Sequence, residues 1–384
     1  MGYTHIHTPN NSNKFLYMKI ECIKEQLEEV LNKADKIAGK NITLPVLAGL
    51  YLDARQNSLS IKATNLDLGI SLTLPVKVIE SGIVVVPAHV ISSFISSLSK
   101  DRNITINTKN QVLEIKTSST KTNIKTLPSE DFPVIPEIGE DKVFSMPIRD
   151  LLFGIKSVLY AAAVGSIKPE LSSISITYEG EFLTFAATDS FRLAEKKIRV
   201  KKVPHFKQIL IPQKNAMEIV KIFDKGDEEI SISIEEHQMA LRVQNIYLTS
   251  RIVEGTFPDY RQIIPKETTS KAVLLKQDLI NSLKTSLIFS DTFNQLTLKL
   301  SPKAKSFEIE SKNSAIGESV HTVESVLEGD NISINVNHRY FTDCFQSIMT
   351  DSVSLSFSGQ AKPIIIQGVG DTSFLYLVMP MNQS

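Results

Sequence analysis

The chain holds only two cysteines in 384 residues, Cys22 and Cys344, and carries no excess of either charge, with 42 basic against 42 acidic residues. Two thiols cannot staple a polypeptide of this length, so they are expected as reduced structural residues of a cytoplasmic protein. No stretch approaches the ~20 apolar residues of a helical membrane span, which excludes that kind of anchor. A formal charge of zero excludes a surface that is basic all over, as a protein gripping a polyanion along its length would need. Any nucleic-acid contact must come from a segregated basic face. Catalytic signatures are missing as well. There is no H-E-x-x-H, C-x-x-C or G-x-S-x-G, and Gly154-Ile155-Lys156-Ser157 fails as a phosphate loop because Arg149 stands where the upstream glycine belongs. Asp189, Ser190 and His205 lack a base at defined spacing and read as polar turns. Neither an enzyme nor a metal or cofactor site is expected.

What is present is a repeat. Pro87 follows a run of β-branched residues and precedes an apolar stripe, and the pattern returns at Pro212 and Asn337, each step 125 residues long. Offsets +4, +7, +8 and +11 are Ile91, Phe94, Ile95 and Leu98, then Ala216, Ile219, Val220 and Phe223, then Phe341, Cys344, Phe345 and Ile348. All are apolar, at the spacing that puts them on one face of a helix. The two prolines are expected at a first helical position, where a missing N–H costs nothing. A threefold period means one domain built three times.

Each third opens with another 3/4-spaced stripe: Leu27, Val30, Leu31 and Ala34; Leu151, Leu152, Ile155 and Val158; Leu279, Leu283 and Leu287. Short strands rich in Ile, Leu, Val and Thr follow, such as 59–63, 173–178 and 295–300, then the second helix, then further strands at 112–116, 240–243 and 364–367. Two helices and about eight strands per third predict an α+β unit with both helices on one face of antiparallel sheets. Proline-bearing linkers at 128–141 and 257–270 set the expected domains at 18–138, 139–264 and 265–384. Residues 1–17 resemble neither a signal nor a transit peptide and are expected to be a flexible extension.

Four short segments make the reading specific: Thr43-Leu44-Pro45-Val46-Leu47, Thr188-Asp189-Ser190-Phe191-Arg192-Leu193-Ala194, Phe257-Pro258-Asp259-Tyr260-Arg261 and Val378-Met379-Pro380-Met381. In this order, on a threefold repeat, they closely resemble the bacterial DNA polymerase III β subunit family, the replicative sliding clamps, from Met18 to the C-terminus. The resemblance implies three DNA-clamp domains forming half of a closed ring. Two chains would pair head-to-tail around double-stranded DNA, held without sequence preference, and tether the replicative polymerase. A repeat-built scaffold that binds only protein is the alternative.

The family's partner pocket takes short linear motifs from the DNA polymerase III catalytic subunit, the clamp loader and repair polymerases. Carried over, its walls in the middle domain are Leu171, Thr188, Ser190, Phe191, Arg192, Leu193, Pro258, Gln262 and Ile263. The third domain would add Phe293, Asn337, Tyr340, Val353, Leu355, Val378, Met379, Pro380 and Met381. An apolar cleft with methionines suits leucine or phenylalanine anchors from several partners. Phe191 departs from a frequent histidine, Ser190 from glycine and Gln262 from arginine, and Asn382-Gln383-Ser384 replaces a basic-apolar ending. DNA contact is expected from the loop residues Lys40 and Lys168, from Arg149 on a first helix, and from Lys214, Lys221 and Arg339 on the second helices, whose stripe holds His89, Lys100 and Lys225 but also Glu218 and Asp343.

Overall fold

Strand and helix meet without a loop at the start of each repeat. In the computed structural model, which describes residues 17–39, 44–99, 102–139, 143–165, 167–201, 203–204, 206, 208–224 and 226–381, the strand Lys19–Ile23 runs into helix α1 (Lys24–Ile37). The strand Gly82–Pro87 runs into α2 (Ala88–Ser97). The same joins give α3 (Ile148–Val158), α4 (Gln213–Ile222), α5 (Lys276–Ser286) and α6 (His338–Thr342). Pro87 and Pro212 cap α2 and α4 rather than opening them. Each is the last strand residue, where extended ψ angles of 119° and 136° let the ring end a ladder and start a turn in one step. Of the twelve stripe residues ten are buried, while Phe94 and Val220 are partly exposed. After Thr342 the last helix tightens into a 3₁₀ turn over Asp343–Ser347. Lys40, Thr43, Lys100, His205, Lys225, residues 1–16 and 382–384 lie outside the described residues.

The chain folds as two compact units, residues up to 145 with 228–251, and residues 146–227 with 252–384. In the first unit an eight-stranded sheet is continuous across two repeats. The first repeat's set runs Gly82–Pro87, Gly49–Arg55, Ser58–Thr64, Leu68–Pro75, and its last strand pairs antiparallel with Ile246–Arg251 of the second, Leu72 opposite Ile246. In the second unit the set Ile209–Pro212, Ser173–Glu179, Phe182–Thr188, Arg192–Arg199 meets Phe374–Val378 of the third repeat, Arg192 opposite Val378. Buried Lys196 strengthens this joint, its ammonium 2.6 Å from the Ser373 hydroxyl and over the Phe153 ring. The joints are the same in kind: the set that leads into the second helix offers its outer strand, at the opposite end from the strand joined to that helix, to the last strand of the next repeat. Two further sheets, of five and four strands, end in Lys121–Lys125 and Gly317–Val323. Each of those edge strands pairs on one side only among the described residues.

Helices cover one face of each set through the apolar stripes, at roughly 1.5–3 kcal/mol per buried Leu or Ile. Gly154 shows how close the approach is: a Cβ there would lie 2.4 Å from the buried Phe185 ring. That glycine therefore serves α3's packing against the strand Phe182–Thr188.

The second helix is also tied to the first. Gln213 donates from Nε2 to the Leu159 carbonyl at 3.2 Å, and its counterpart His338 has Nε2 2.8 Å from the Leu283 carbonyl. Burial lowers the His338 pKa, against the smaller effect of that carbonyl. The folded state therefore prefers neutral imidazole, and the unfolded chain protonates first as pH falls. Stability from this site is complete above the ordinary histidine value of about 6.5 and declines below it. His338→Gln, copying the second repeat, is expected to unfold less pH-sensitively than the parent between pH 7.5 and 5.5. Parallel urea midpoints for the two proteins over that range would contradict the assignment.

Candidate functional site

A five-residue turn recurs in the first two repeats. The Thr188 hydroxyl donates to the Arg192 carbonyl at 2.7 Å, and Asp189 Oδ1 accepts from the amides of Phe191 and Arg192, both at 3.0 Å. Thr64 and Asn65 make the same bonds to residues 67 and 68. These local acceptors hold Ser190 at φ 77° and Leu66 at φ 76°, a left-handed conformation that L-residues other than Asn and Asp seldom adopt. The turn therefore has the backbone a glycine would favour, with a serine in it. It pushes Phe191 outward, 61% exposed.

Arg192 fixes the turn to the third repeat. Its Nε donates to Asp189 at 2.9 Å, its Nη1 donates to Asp343 at 2.5 Å, and its guanidinium lies 4.5 Å above the Tyr340 ring. Burial works to lower its pKa, but the surrounding tyrosine and carboxylates outweigh that and raise it. The cation is thus fully committed within the wall.

The C-terminal segment closes the cleft. After the strand Phe374–Val378, the Met379 amide donates to the Phe191 carbonyl at 2.8 Å and the Met381 amide to the Asn335 carbonyl at 2.7 Å. Asn337 caps α6 by accepting from the Tyr340 amide and donates to the Phe293 carbonyl. The Tyr376 hydroxyl donates to the Tyr340 carbonyl at 2.6 Å, and burial holds its pKa well above the ordinary phenol. The result is a cavity of about 530 Å³ lined by Ser190, Phe191, Phe293, Asn337, Tyr340, Met379, Pro380 and Met381. Among the described residues no charged side chain lines it. Phe191 stacks on Tyr340 with ring centroids 6.3 Å apart, and Phe293 stands 71% exposed at the rim. A second cleft, of about 640 Å³, shares Met379 and is bordered by Gln262, Ile263, Lys266 and Lys362.

The remaining sequence candidates sit elsewhere. Leu193, Val353, Leu355 and Val378 are core residues with at most 1% exposure, because strand alternation turns them away from solvent. Leu193 packs with Ile365 and Leu377 beneath the surface. Thr188 and Arg192 shape the turn and the wall, while Leu171 and Pro258 line neither cleft. Sequence reasoning missed Asp343 as Arg192's partner; its signal was an acidic residue interrupting a basic stripe.

On the helices, Lys214 and Arg339 are exposed. Arg149 lies 3.7 Å from Asp150, Lys221 pairs with Glu218 at 2.7 Å, and His89 lies 3.6 Å from Asp35. Lys168 is exposed in the loop before Ser173–Glu179. Lys276 is spent on the Ile348 carbonyl at 2.7 Å. Lys40 lies outside the described residues.

Three family models match in series: the DNA polymerase III beta subunit N-terminal domain over residues 18–136, its central domain over 147–259 and its C-terminal domain over 261–382. Beta sliding clamps of Staphylococcus epidermidis and Staphylococcus aureus are 27% and 26% identical over 361 residues, covering 91% of this chain and 96% of each relative. The solved DNA polymerase sliding clamp from Bacillus subtilis superposes with TM-score 0.91 at 25% identity, covering 96% of this chain and 100% of that one. The Pseudomonas aeruginosa sliding clamp bound to griselimycin gives 0.89 at 26% identity, covering 95% and 100%.

The wall's dependence on Arg192 is testable. Arg192→Met keeps most of the volume but strands Asp189 and Asp343. It should destabilise the fold by about 3 kcal/mol, the low end for removing one partner of a buried pair. An unchanged urea midpoint would show that the ion pairs hold nothing.

Proposed function

This chain belongs to the DNA polymerase III beta subunit family, the sliding clamps, and on that premise we propose that two copies close head-to-tail into a ring around duplex DNA. The observation that carries this reading is the pair of leftover edges. Each repeat holds one strand set that ends before its second helix and another that ends in its last strand. Both joints within the chain unite one of each. Of the strands equivalent to those that make these joints, the third repeat's Gly317–Val323 and the first repeat's Lys121–Lys125 are the two still unmatched among the described residues. Joining them between copies repeats the same joint, satisfies backbone groups that would otherwise invite aggregation, and closes after two chains. Charge favours the match, Lys121 and Lys125 against Glu318 and Glu324. Val320, Ile316, Leu287 and Ile288, exposed by 47–63%, would be covered. Family membership sets aside the scaffold that binds protein only.

A ring holds DNA by topology, so its helices need only weak contact with phosphates. The mixed helix faces fit that need. Exposed pairs such as Lys221–Glu218 are individually worth little and dilute the grip of their cations. Lys214, Arg339, Arg149 and Lys168 are the residues we assign to DNA contact. The uncharged cleft beside Met379 is the docking site for short linear motifs of the polymerase, the clamp loader and repair polymerases. Two or three apolar anchors, at ~1.5–3 kcal/mol each less ordering costs, give roughly micromolar affinity, so partners exchange. None of this calls for catalysis, a metal or a membrane, and no helix among the described residues is long and apolar enough to cross one. The cytoplasm, where chromosomal DNA lies, is the proposed location.

Two measurements test the reading. Light scattering at micromolar concentration should give twice the chain mass of 42.7 kDa. Ile288→Asp combined with Val320→Lys should yield a folded monomer, and a variant that stays dimeric would refute the edge assignment. Met381→Glu should weaken partner-peptide binding at least tenfold while sparing the dimer, whereas unchanged affinity would remove the cleft from the proposal.

A further inference from the structure

One row of side chains on the first unit's eight-stranded sheet is polar from strand to strand. The register places Lys62 opposite Ser71, Ser71 opposite Tyr247, and Tyr247 opposite Arg242. With strands about 4.8 Å apart, the two cations start about 14 Å apart and flank the two hydroxyls. The first two residues come from the first repeat and the last two from the second, so the row crosses the joint.

The linker between the repeats roofs this row. The Tyr247 hydroxyl donates to the Pro136 carbonyl at 3.0 Å and accepts from the Ile138 amide at 2.9 Å. Arg242 donates from Nη2 to the Ile138 carbonyl at 3.2 Å, with its guanidinium 4.4 Å over the Tyr247 ring. Ile135 lies so close over Gly69 that a Cβ on that glycine would meet it at 2.9 Å. Between row and roof is a cavity of about 150 Å³, lined by Lys62, Ser71, Ile135, Glu137, Arg242 and Tyr247.

Its donors are not used up. Arg242 Nε is buried with no hydrogen-bond partner, an arrangement that costs free energy unless something accepts from it. No ion pair among the described residues engages Lys62 or Arg242. The space is large enough for a tetrahedral oxyanion. With Glu137 at the exposed edge, Lys62, Arg242 and Glu137 together leave one net positive charge, which favours an anion.

We propose that this cavity is a binding site for a phosphate-class oxyanion, held by Lys62, Arg242 and Ser71. The anion bridges the first and second repeats under their linker. Because it binds only the folded joint, it raises the melting temperature by mass action.

The test uses the full chain in sodium phosphate against sodium chloride at matched ionic strength, with a parallel arm in a 5′-phosphorylated dinucleotide. Phosphate at ten times its dissociation constant is expected to raise the melting temperature by about 3 °C beyond chloride. General salting-out by phosphate acts on all variants alike, so the reading is the difference between proteins. Lys62→Met and Ser71→Ala should lose the excess shift, and Glu137→Gln should enlarge it several-fold at subsaturating phosphate. A Lys62-dependent shift with inorganic phosphate assigns a free anion, and one with the dinucleotide alone assigns the terminal phosphate of a polynucleotide. Equal shifts in the parent and Lys62→Met in both arms would overturn the site.

Discussion

An unpaired sheet edge is the constraint on which this molecule turns. Backbone N–H and C=O groups along a strand need partners, and a chain built of one repeated unit meets the need the same way each time. Twice within the chain the outer strand of one repeat's set, Leu68–Pro75 or Arg192–Arg199, finds the last strand of the next repeat. The logic leaves one edge of each kind over, at Gly317–Val323 and Lys121–Lys125. A ring of two chains is the closed solution that leaves neither of these two edges over.

The cleft is a by-product of the same device. Pairing Arg192–Arg199 with Phe374–Val378 carries the chain's end alongside the Asp189–Arg192 turn, so that Met379 bonds to Phe191. Arg192 then spans the junction to Asp343 and Tyr340. Its charge is consumed inside the wall, which is why the opening presents aromatic rings, methionines and amides instead of cations. The other joint, lacking that wall, instead encloses the polar row between Lys62 and Arg242 under a linker. One architectural joint thus makes two different cavities, depending on which side chains the register brings together.

Periodicity made the six helices and their buried faces legible, since 3/4 spacing survives any change of residue identity. Its limits were local. Pro87 and Pro212 proved to be caps, one residue earlier than expected, because a strand ends on each. The resemblance pointed to the cleft residues Ser190, Phe191 and Met379–Met381, which the structure gathers around one cavity. It could not separate them from Leu193, Val353, Leu355 and Val378, whose inward orientation is decided by strand register. Asp343 stands 151 positions from Arg192, and Arg242 and Lys62 meet only through two intervening strands. The acidic break in a basic stripe marked Asp343 as unusual, but nothing in the linear chain names the partner of either contact.

The central claim is that DNA is held by enclosure, and topology tests it most directly. After loading onto a nicked circular duplex and a wash at high salt, the protein should remain bound and then be released when the circle is cut once. Equal release from circular and linear DNA would contradict the account.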